Sequence, residues 1–245
     1  MNEEQKSKFS LALPFYNEEL NVVRVISGLT EELASAGLDF QLILVNNGSY
    51  DRTPDLIREL VRSDSRLKSV TVEKNIGYGW GVIRGLEEAE GEWIGFMDGD
   101  AQISPADAVL FLRSVTSDND MVKVRRRERH DGFIRASLSE SYIIFFCLLF
   151  GISIYDINAK PVMFKRELFD LLNLTSRDWF IDAELMLKAD YLGLEIREVP
   201  VIFRKREAGR SNVKPATVIE FLINIARYRF GKELREWKKK TLSKL

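Results

Sequence analysis

Short apolar runs that end in polar turns alternate with amphipathic stretches along the first hundred residues. Phe9 to Pro14 reads as a strand, and Phe15 to Glu19 as the loop after it. From about Leu20 to Ala36, Val22, Ile26, Leu29 and Leu33 recur at helical spacing, and Gly37 stops the helix. Phe40 to Val45 is a second strand closed by the polar turn Asn46 to Asp51, after which Thr53-Pro54 opens a helix with Leu56, Ile57 and Leu60 inward. Leu67 to Val72 predicts a third strand, Trp80 to Ala89 a helix, and Trp93 to Met97 a strand apolar on both faces. Strands and helices alternating at this pace predict an α/β fold with a mostly parallel, Rossmann-like sheet flanked by helices. The strand ends after Leu13, Val45 and Met97 carry polar loops, and such a sheet gathers them on the edge where open α/β sheets bind ligands.

The fourth of these strands ends in two carboxylates, Asp98 and Asp100, one residue apart, then Gln102 and a helix-starting Ser104-Pro105. On an extended chain both carboxylates lie on the same side and can converge on one hard cation. Mg2+ or Mn2+ favours such oxygen ligands and bridges carboxylates to substrate phosphates. Asp-Gly is also ordinary turn chemistry, so a plain acidic turn is the competing reading. The glycines Gly77, Gly79 and Gly81 miss the spacing of a dinucleotide fingerprint, which leaves close helix packing or a pyrophosphate contact as their role.

Bulk properties narrow the picture. The chain has 245 residues and no internal repeat or Pro/Gly/Ser linker, which favours one domain. Its 36 basic and 37 acidic residues give no general attraction to nucleic acid. The single cysteine, Cys147, excludes an internal disulfide. The polar N-terminus is not a signal peptide, and the longest apolar run, Tyr142 to Ile154, is too short for a span of roughly 20 residues. Membrane anchoring, if any, is then peripheral or borrowed from a partner.

Four motifs stand in order: Leu13 to Glu18; Val45 to Thr53 with Gly48-Ser49; Asn75-x-Gly77-x-Gly79; and Met97 to Gln102. Together they resemble family 2 glycosyltransferases of the GT-A fold, most of all the dolichyl- or polyprenyl-phosphate sugar synthases of the dolichol-phosphate mannose synthase type. The resemblance runs from about Ser10 to Arg229. It implies that Pro14, Tyr16, Glu18, Asn47, Ser49, Asn75, Gly77 and Gly99 line a nucleotide-sugar pocket. It also implies that Asp98, Asp100 and Gln102 form the metal-and-diphosphate motif. One departure concerns the second turn, which commonly begins Asp-Asp in the family and here begins Asn46-Asn47. An amide both donates and accepts where a carboxylate only accepts, so the nucleobase is left open between GDP- and UDP-linked donors.

The second half carries the expected acceptor chemistry. A strand from Asp120 ends in a basic loop containing Arg125, Arg126 and Arg129, and Arg135 precedes Ser139 by one helical turn. The synthases are similar here, holding a lipid phosphate with an arginine after this strand and an Arg-x-x-x-Ser pair. Arg126 fits best by spacing, and a solvated basic face is the alternative. Ser141 to Tyr155 is apolar on every side, as a helix in the membrane interface or in a core would be. Asp156 and Asn158 are candidate sugar-hydroxyl partners or a simple polar turn. Asp182, at a helix start, matches the family's usual base; a phosphate acceptor, already ionised with a second pKa of about 6, would need it only for orientation.

Glu195 to Arg204 alternates as a strand, and Arg206 opens an Arg-x-x-Gly-x-Ser segment that resembles the family's flap, which meets the donor diphosphate or the lipid phosphate. Thr217 to Arg229 predicts an amphipathic helix, with a run of lysines and arginines from Lys232 to Lys244 suited to a membrane surface or to water. His130 has no metal-ligand company. The resulting expectation is one glycosyltransferase domain: a nucleotide-sugar half over about 9–115, an acceptor half over about 116–210 and a basic amphipathic helix beyond. It would act with Mg2+ or Mn2+ at the cytoplasmic face of a membrane, or free in the cytoplasm, moving a sugar to a polyprenyl phosphate. The alternatives are a hydroxyl acceptor with Asp182 as base, and a non-catalytic nucleotide-sugar binder. Nothing in the sequence speaks to oligomeric state.

Overall fold

The computed structural model describes residues 8–127, 143–204 and 215–243. Seven strands form one sheet in the order β3-β2-β1-β4-β6-β5-β7. The strands are β1 (Phe9–Phe15), β2 (Phe40–Asn47), β3 (Leu67–Val72), β4 (Trp93–Phe96), β5 (Met121–Arg126), β6 (Val162–Lys165) and β7 (Ile196–Val201). β1 runs parallel to β2 and β4, and β2 parallel to β3, so the loops after β1, β2 and β4 share one edge as expected. β6 is the exception. It lies antiparallel between β4 and β5, which in turn pairs parallel with β7.

Alternating side chains divide the core. Phe9, Leu11, Leu13 and Phe15 of β1 join Phe40, Leu42 and Leu44 of β2 on one face, under α1 (Val22–Ser35), α2 (Thr53–Ser63) and α4 (Pro105–Arg113). Ala12, Ile43 and Val45 point to the other face, under α3 (Tyr78–Glu87) and α7 (Ile181–Tyr191). Both faces are covered, which is why these strands read as nearly continuous apolar runs. Local chemistry sets the helix ends. Gly37, at φ 67°, closes α1 while its N–H donates to the Ala34 carbonyl at 2.9 Å. Ser104 caps α4 by accepting from the Asp107 N–H at 3.1 Å, with Pro105 next.

Three features differ from the sequence expectation. The segment after Asn158 forms β6, four residues long and too short to show a periodicity. The apolar run is helical over 143–150, α5, and its faces are unlike: Ile143 and Phe146 are buried, while Ile144, Phe145 and Leu148 are exposed. Beyond the short α6 (Phe169–Leu172), the C-terminal region forms two helices, α8 (Pro215–Phe230) and α9 (Glu233–Leu242), parted at Gly231. α9 docks through buried Trp237, whose indole N–H donates to the Leu171 carbonyl at 2.8 Å.

Candidate active site

A pocket of about 250 Å³ opens at the sheet edge where β1, β2 and β4 end. It is lined by Pro14, Tyr16, Glu18, Asn47, Asn75, Gly77, Asp98, Gly99 and Asp100 of the sequence expectation, joined by Phe15, Tyr78 and Trp179. The β1 and β2 loops are sewn together. Ser49 Oγ accepts from the Asn17 N–H at 3.1 Å, Asn17 Oδ1 accepts from the Tyr50 N–H at 3.0 Å, and Thr53 Oγ1 accepts from the Glu18 N–H at 2.9 Å. Ser49 thus shapes the pocket from behind and is not among the residues that line it.

Asn47 is buried, with its Nδ2 donating to the Gly77 carbonyl at 3.1 Å and its Oδ1 lacking a hydrogen-bond partner among the described residues. Gly77 sits at φ 134°, and a Cβ there would lie 2.1 Å from the Arg177 carbonyl oxygen. Only glycine fits that backbone and that gap. The 176–179 segment therefore lies directly on the start of α3, and the Trp80 N–H donates to the same carbonyl at 3.0 Å.

On the β4 loop, Asp98 Oδ1 accepts from the Tyr78 hydroxyl at 2.7 Å. Burial, then the charges of Asp98 and Asp182, hold the Tyr78 phenol well above its ordinary pKa, so it remains the donor. Tyr78 stacks on Trp179 with ring centroids 4.3 Å apart and planes 7° from parallel. Beneath this plate lies a residue to which the sequence reading gave no role. Lys160 is buried, with Nζ 4.8 Å from the Tyr78 ring centroid and 5.7 Å from that of Trp179. It donates to Asp182 Oδ2 at 2.7 Å and stands 3.7 Å from Asp98 Oδ2. Burial opposes its charge, but Asp182 and Asp98 outweigh that and hold the ammonium above its usual pKa. Asp182 is raised to about 6, chiefly by burial, with Lys160 pulling the other way.

Asp98 and Asp100 supply oxygen donors of the kind a hard divalent ion takes, and they line the same pocket. No third His, Cys, Asp or Glu joins them in a metal-binding group among the described residues. The pair suits Mg2+ or Mn2+, which bind through one or two carboxylates and complete their shell with water and substrate phosphate. The Gln102 side chain donates through Nε2 to the Arg204 carbonyl at 3.1 Å, and the Gln102 backbone carbonyl accepts from the Arg204 N–H at 2.9 Å.

A second groove, of about 690 Å³, runs between the end of β5 and α5. Arg125, Arg126 and Arg127 stand over apolar Ile143, Ile144, Leu148, Ile152 and Ile154, with Asp156 and Tyr155 alongside. Arg126 is held by Asp156 through a two-pronged pair, Nε and Nη2 each donating at 2.8 Å. Asp156 thus lies in this groove and not among the residues lining the first pocket. The Arg125 guanidinium is 5.2 Å from the Tyr155 ring centroid. Buried Lys123 donates to the Asp156 backbone carbonyl, and the charges of Asp156, Glu198 and Asp182 offset part of the burial that lowers its pKa. Charges of alternating sign therefore run from Asp98 through Lys160, Asp182, Lys123 and Asp156 to Arg126. Asn158 Oδ1 is buried without a hydrogen-bond partner among the described residues. Arg129, Arg135, Ser139 and Arg206 lie outside the described residues.

A family model described as "Glycosyl transferase family 2" matches residues 10–173. The chain belongs to glycosyl transferase family 2. Its relatives include a putative glycosyltransferase, CsbB, of Bacillus subtilis (strain 168), 30% identical over 136 residues, 56% of this chain and 41% of that protein. Undecaprenyl-phosphate 4-deoxy-4-formamido-L-arabinose transferase of Proteus mirabilis is 23% identical over 91% of this chain and 68% of its own length. The Aeromonas hydrophila enzyme of that name is 26% identical over 74% of this chain and 56% of its own. This family 2 chain thus spans between about two fifths and two thirds of those relatives. Among solved structures, glucosyl-3-phosphoglycerate synthase of Mycobacterium tuberculosis, with Mn2+ and UDP-glucose, superposes with a TM-score of 0.70 at 21% identity, covering 92% of this chain and 79% of that one. The likeness establishes the GT-A fold predicted from the motifs.

Lys160, Tyr78 and Trp179 had little to announce them. Lys160 is a lone charge in an apolar run beside Pro161, and only the fold brings it to Asp182, 22 residues away.

Proposed function

We propose that the chain transfers a sugar, with inversion, from a nucleoside-diphosphate sugar to a polyprenyl phosphate at a membrane surface. The observation that carries this reading is the second groove, in which guanidinium groups stand at the head of an apolar trough. That is the chemistry of a phosphate on a hydrocarbon tail. The exposed Ile144, Phe145 and Leu148 of α5, with Tyr155 beside them, form an apolar face suited to lipid. No helix among the described residues is long and apolar enough to cross a membrane, so contact of this kind would be made at the surface. The Proteus and Aeromonas relatives, named for undecaprenyl phosphate, support the acceptor class.

In this reading the donor lies in the first pocket, with its diphosphate toward Asp98 and Asp100. A divalent ion on these two carboxylates, with Gln102 close by, would neutralise the departing diphosphate. Arg125 and Arg126, with Arg135 and Ser139 as the expected further donors, hold the acceptor phosphate. Its oxygen bonds to the anomeric carbon from the face opposite the diphosphate, whose bond to that carbon breaks. The acceptor is already an anion and no proton need be removed. That suits Asp182, whose carboxylate is buried and engaged by Lys160. Asp182 fixes the geometry between the two sites, where correct placement contributes much of the rate.

The test is nucleoside-diphosphate release from a panel of UDP- and GDP-sugars with Mg2+ or Mn2+, with and without a polyprenyl phosphate. Release from one donor that requires the lipid is expected. Release indifferent to the lipid, or seen only with a hydroxyl acceptor, overturns the acceptor class and returns Asp182 to the role of base.

A further inference from the structure

We infer that Lys160 is a positioning residue that sets how strongly, and how many times, the site binds a divalent ion. The inference rests on the reading above only in assigning the ion to Asp98 and Asp100. Asp98 and Asp100 line one pocket, and Asp98 and Asp182 face the same ammonium. Lys160 is the cation inserted among them, hydrogen-bonded to Asp182 at 2.7 Å and 3.7 Å from Asp98. Of these three carboxylates, Lys160 answers Asp182 at ion-pair distance, which leaves Asp98 and Asp100, the two that line the pocket, to the divalent ion.

Without the ammonium a third negative charge would stand uncompensated in a buried setting, where burying unpaired charge is costly. A second metal ion would relieve it. Lys160 occupies that role permanently, and it is well held there. The Tyr78–Trp179 plate covers it, and β6 begins two residues later, fixing its backbone beside β4. It also keeps Asp182 engaged, so that the carboxylate next to the donor acid cannot swing across and join the ion. The ammonium thus keeps the donor acid and the acceptor-side acid in separate roles.

The role is read from metal binding itself, without sugar or lipid. Mn2+ is titrated into the full chain at pH 8 with nucleoside diphosphate present, and affinity and stoichiometry are followed by calorimetry and by the Mn2+ spin-resonance signal. Four proteins form a series in local charge. Lys160→Met keeps an unbranched side chain one atom shorter and loses the charge. Asp182→Asn removes one acid. The double variant Lys160→Met/Asp182→Asn restores the parent balance and, by deleting both partners of a buried pair, avoids leaving either unpaired.

Lys160→Met is expected to bind Mn2+ about tenfold or more tightly, or to take a second ion. Asp182→Asn should bind it about tenfold more weakly, and the double variant should return close to the parent. Should Lys160→Met fail to fold, the double variant and Asp182→Asn still decide the order. Equal Mn2+ affinity and stoichiometry across the folded variants overturns the inference and leaves the metal assignment standing. A parent chain that binds no Mn2+ even with nucleoside diphosphate overturns both. Lipid-independent turnover would sink the acceptor assignment and leave this inference intact.

Discussion

At the scale of single residues, the pocket at the ends of β1, β2 and β4 depends on atoms that have one arrangement available. Asn47 donates to the Gly77 carbonyl at 3.1 Å, a bond that a carboxylate cannot make. Asn47→Asp, although it restores the residue common in the family, should therefore lower stability by about 1–3 kcal/mol through a buried charge facing a carbonyl. Thermal melts with and without nucleoside diphosphate would check this, and an unchanged melting temperature would refute it. Gly77→Ala should do worse, because the added Cβ meets backbone at 2.1 Å and no side chain can yield. Loss of the ordered 176–179 segment should appear as weakened nucleotide binding.

Asp182 gives a pH signature. Its native pKa of about 6 lies above the roughly 3.9 of an unfolded aspartate. Between those values the native state holds a proton that the unfolded state has released, so this group's contribution to stability falls as pH rises from about 4 to about 6 and is level above. The fall amounts to about 2–3 kcal/mol. Urea denaturation across that range should show a steeper decline in the parent than in Asp182→Asn.

At the scale of elements, legibility followed locality. The strands β1, β2 and β4 announce themselves because burial on both faces demands apolar runs, and each is followed within five residues by its own polar motif. That is why nine of the residues expected from the motifs line one pocket. Lys160, Tyr78 and Trp179 were not marked in this way, since their chemistry arises from contacts between the segment before β6, α3 and the loop before α7 that no spacing encodes. Gln102 and Ser49 carried the right motif, but their side chains serve neighbouring backbone, which a motif cannot distinguish from a ligand contact.

The C-terminal helices teach the same point. The apolar residues Ile219, Leu222, Ile223 and Ala226 of the amphipathic α8 are exposed, and the buried stripe that docks the helix is Asn224, Ile225 and Tyr228, which the apolar spacing did not mark. Asn224 Nδ2 donates to Asp178 Oδ2 at 2.7 Å, next to Trp179, so α8 bears on the first pocket. Asn224→Ala should cost about 1–3 kcal/mol and weaken nucleotide affinity, as titration of the variant would reveal. The lysine-rich tail conceals Trp237, and Trp237→Ala should lower stability by about 3–5 kcal/mol as α9 loses its anchor.

At the scale of the whole molecule, the first pocket, the charge row and the arginine groove lie in sequence, with apolar side chains exposed at the far end. Replacing Ile144, Phe145 and Leu148 together by serine should abolish sedimentation with lipid vesicles and sharply reduce lipid-dependent turnover. These side chains are exposed, so melting temperature and nucleotide binding should hold. Loss of nucleotide binding in that variant would mean the patch supports the fold and not the membrane.

The reversed strand β6 has a mechanical meaning. By pairing with β4 on one side and β5 on the other, it welds the strand that presents Asp98 to the strand that presents Arg126. The two halves cannot part like the jaws of a hinge without breaking a continuous hydrogen-bonded sheet. Under the proposed transfer, the distance from the first pocket to the arginine groove is therefore built in, like the gap of a fixed gauge, and the incoming substrates must adjust to it.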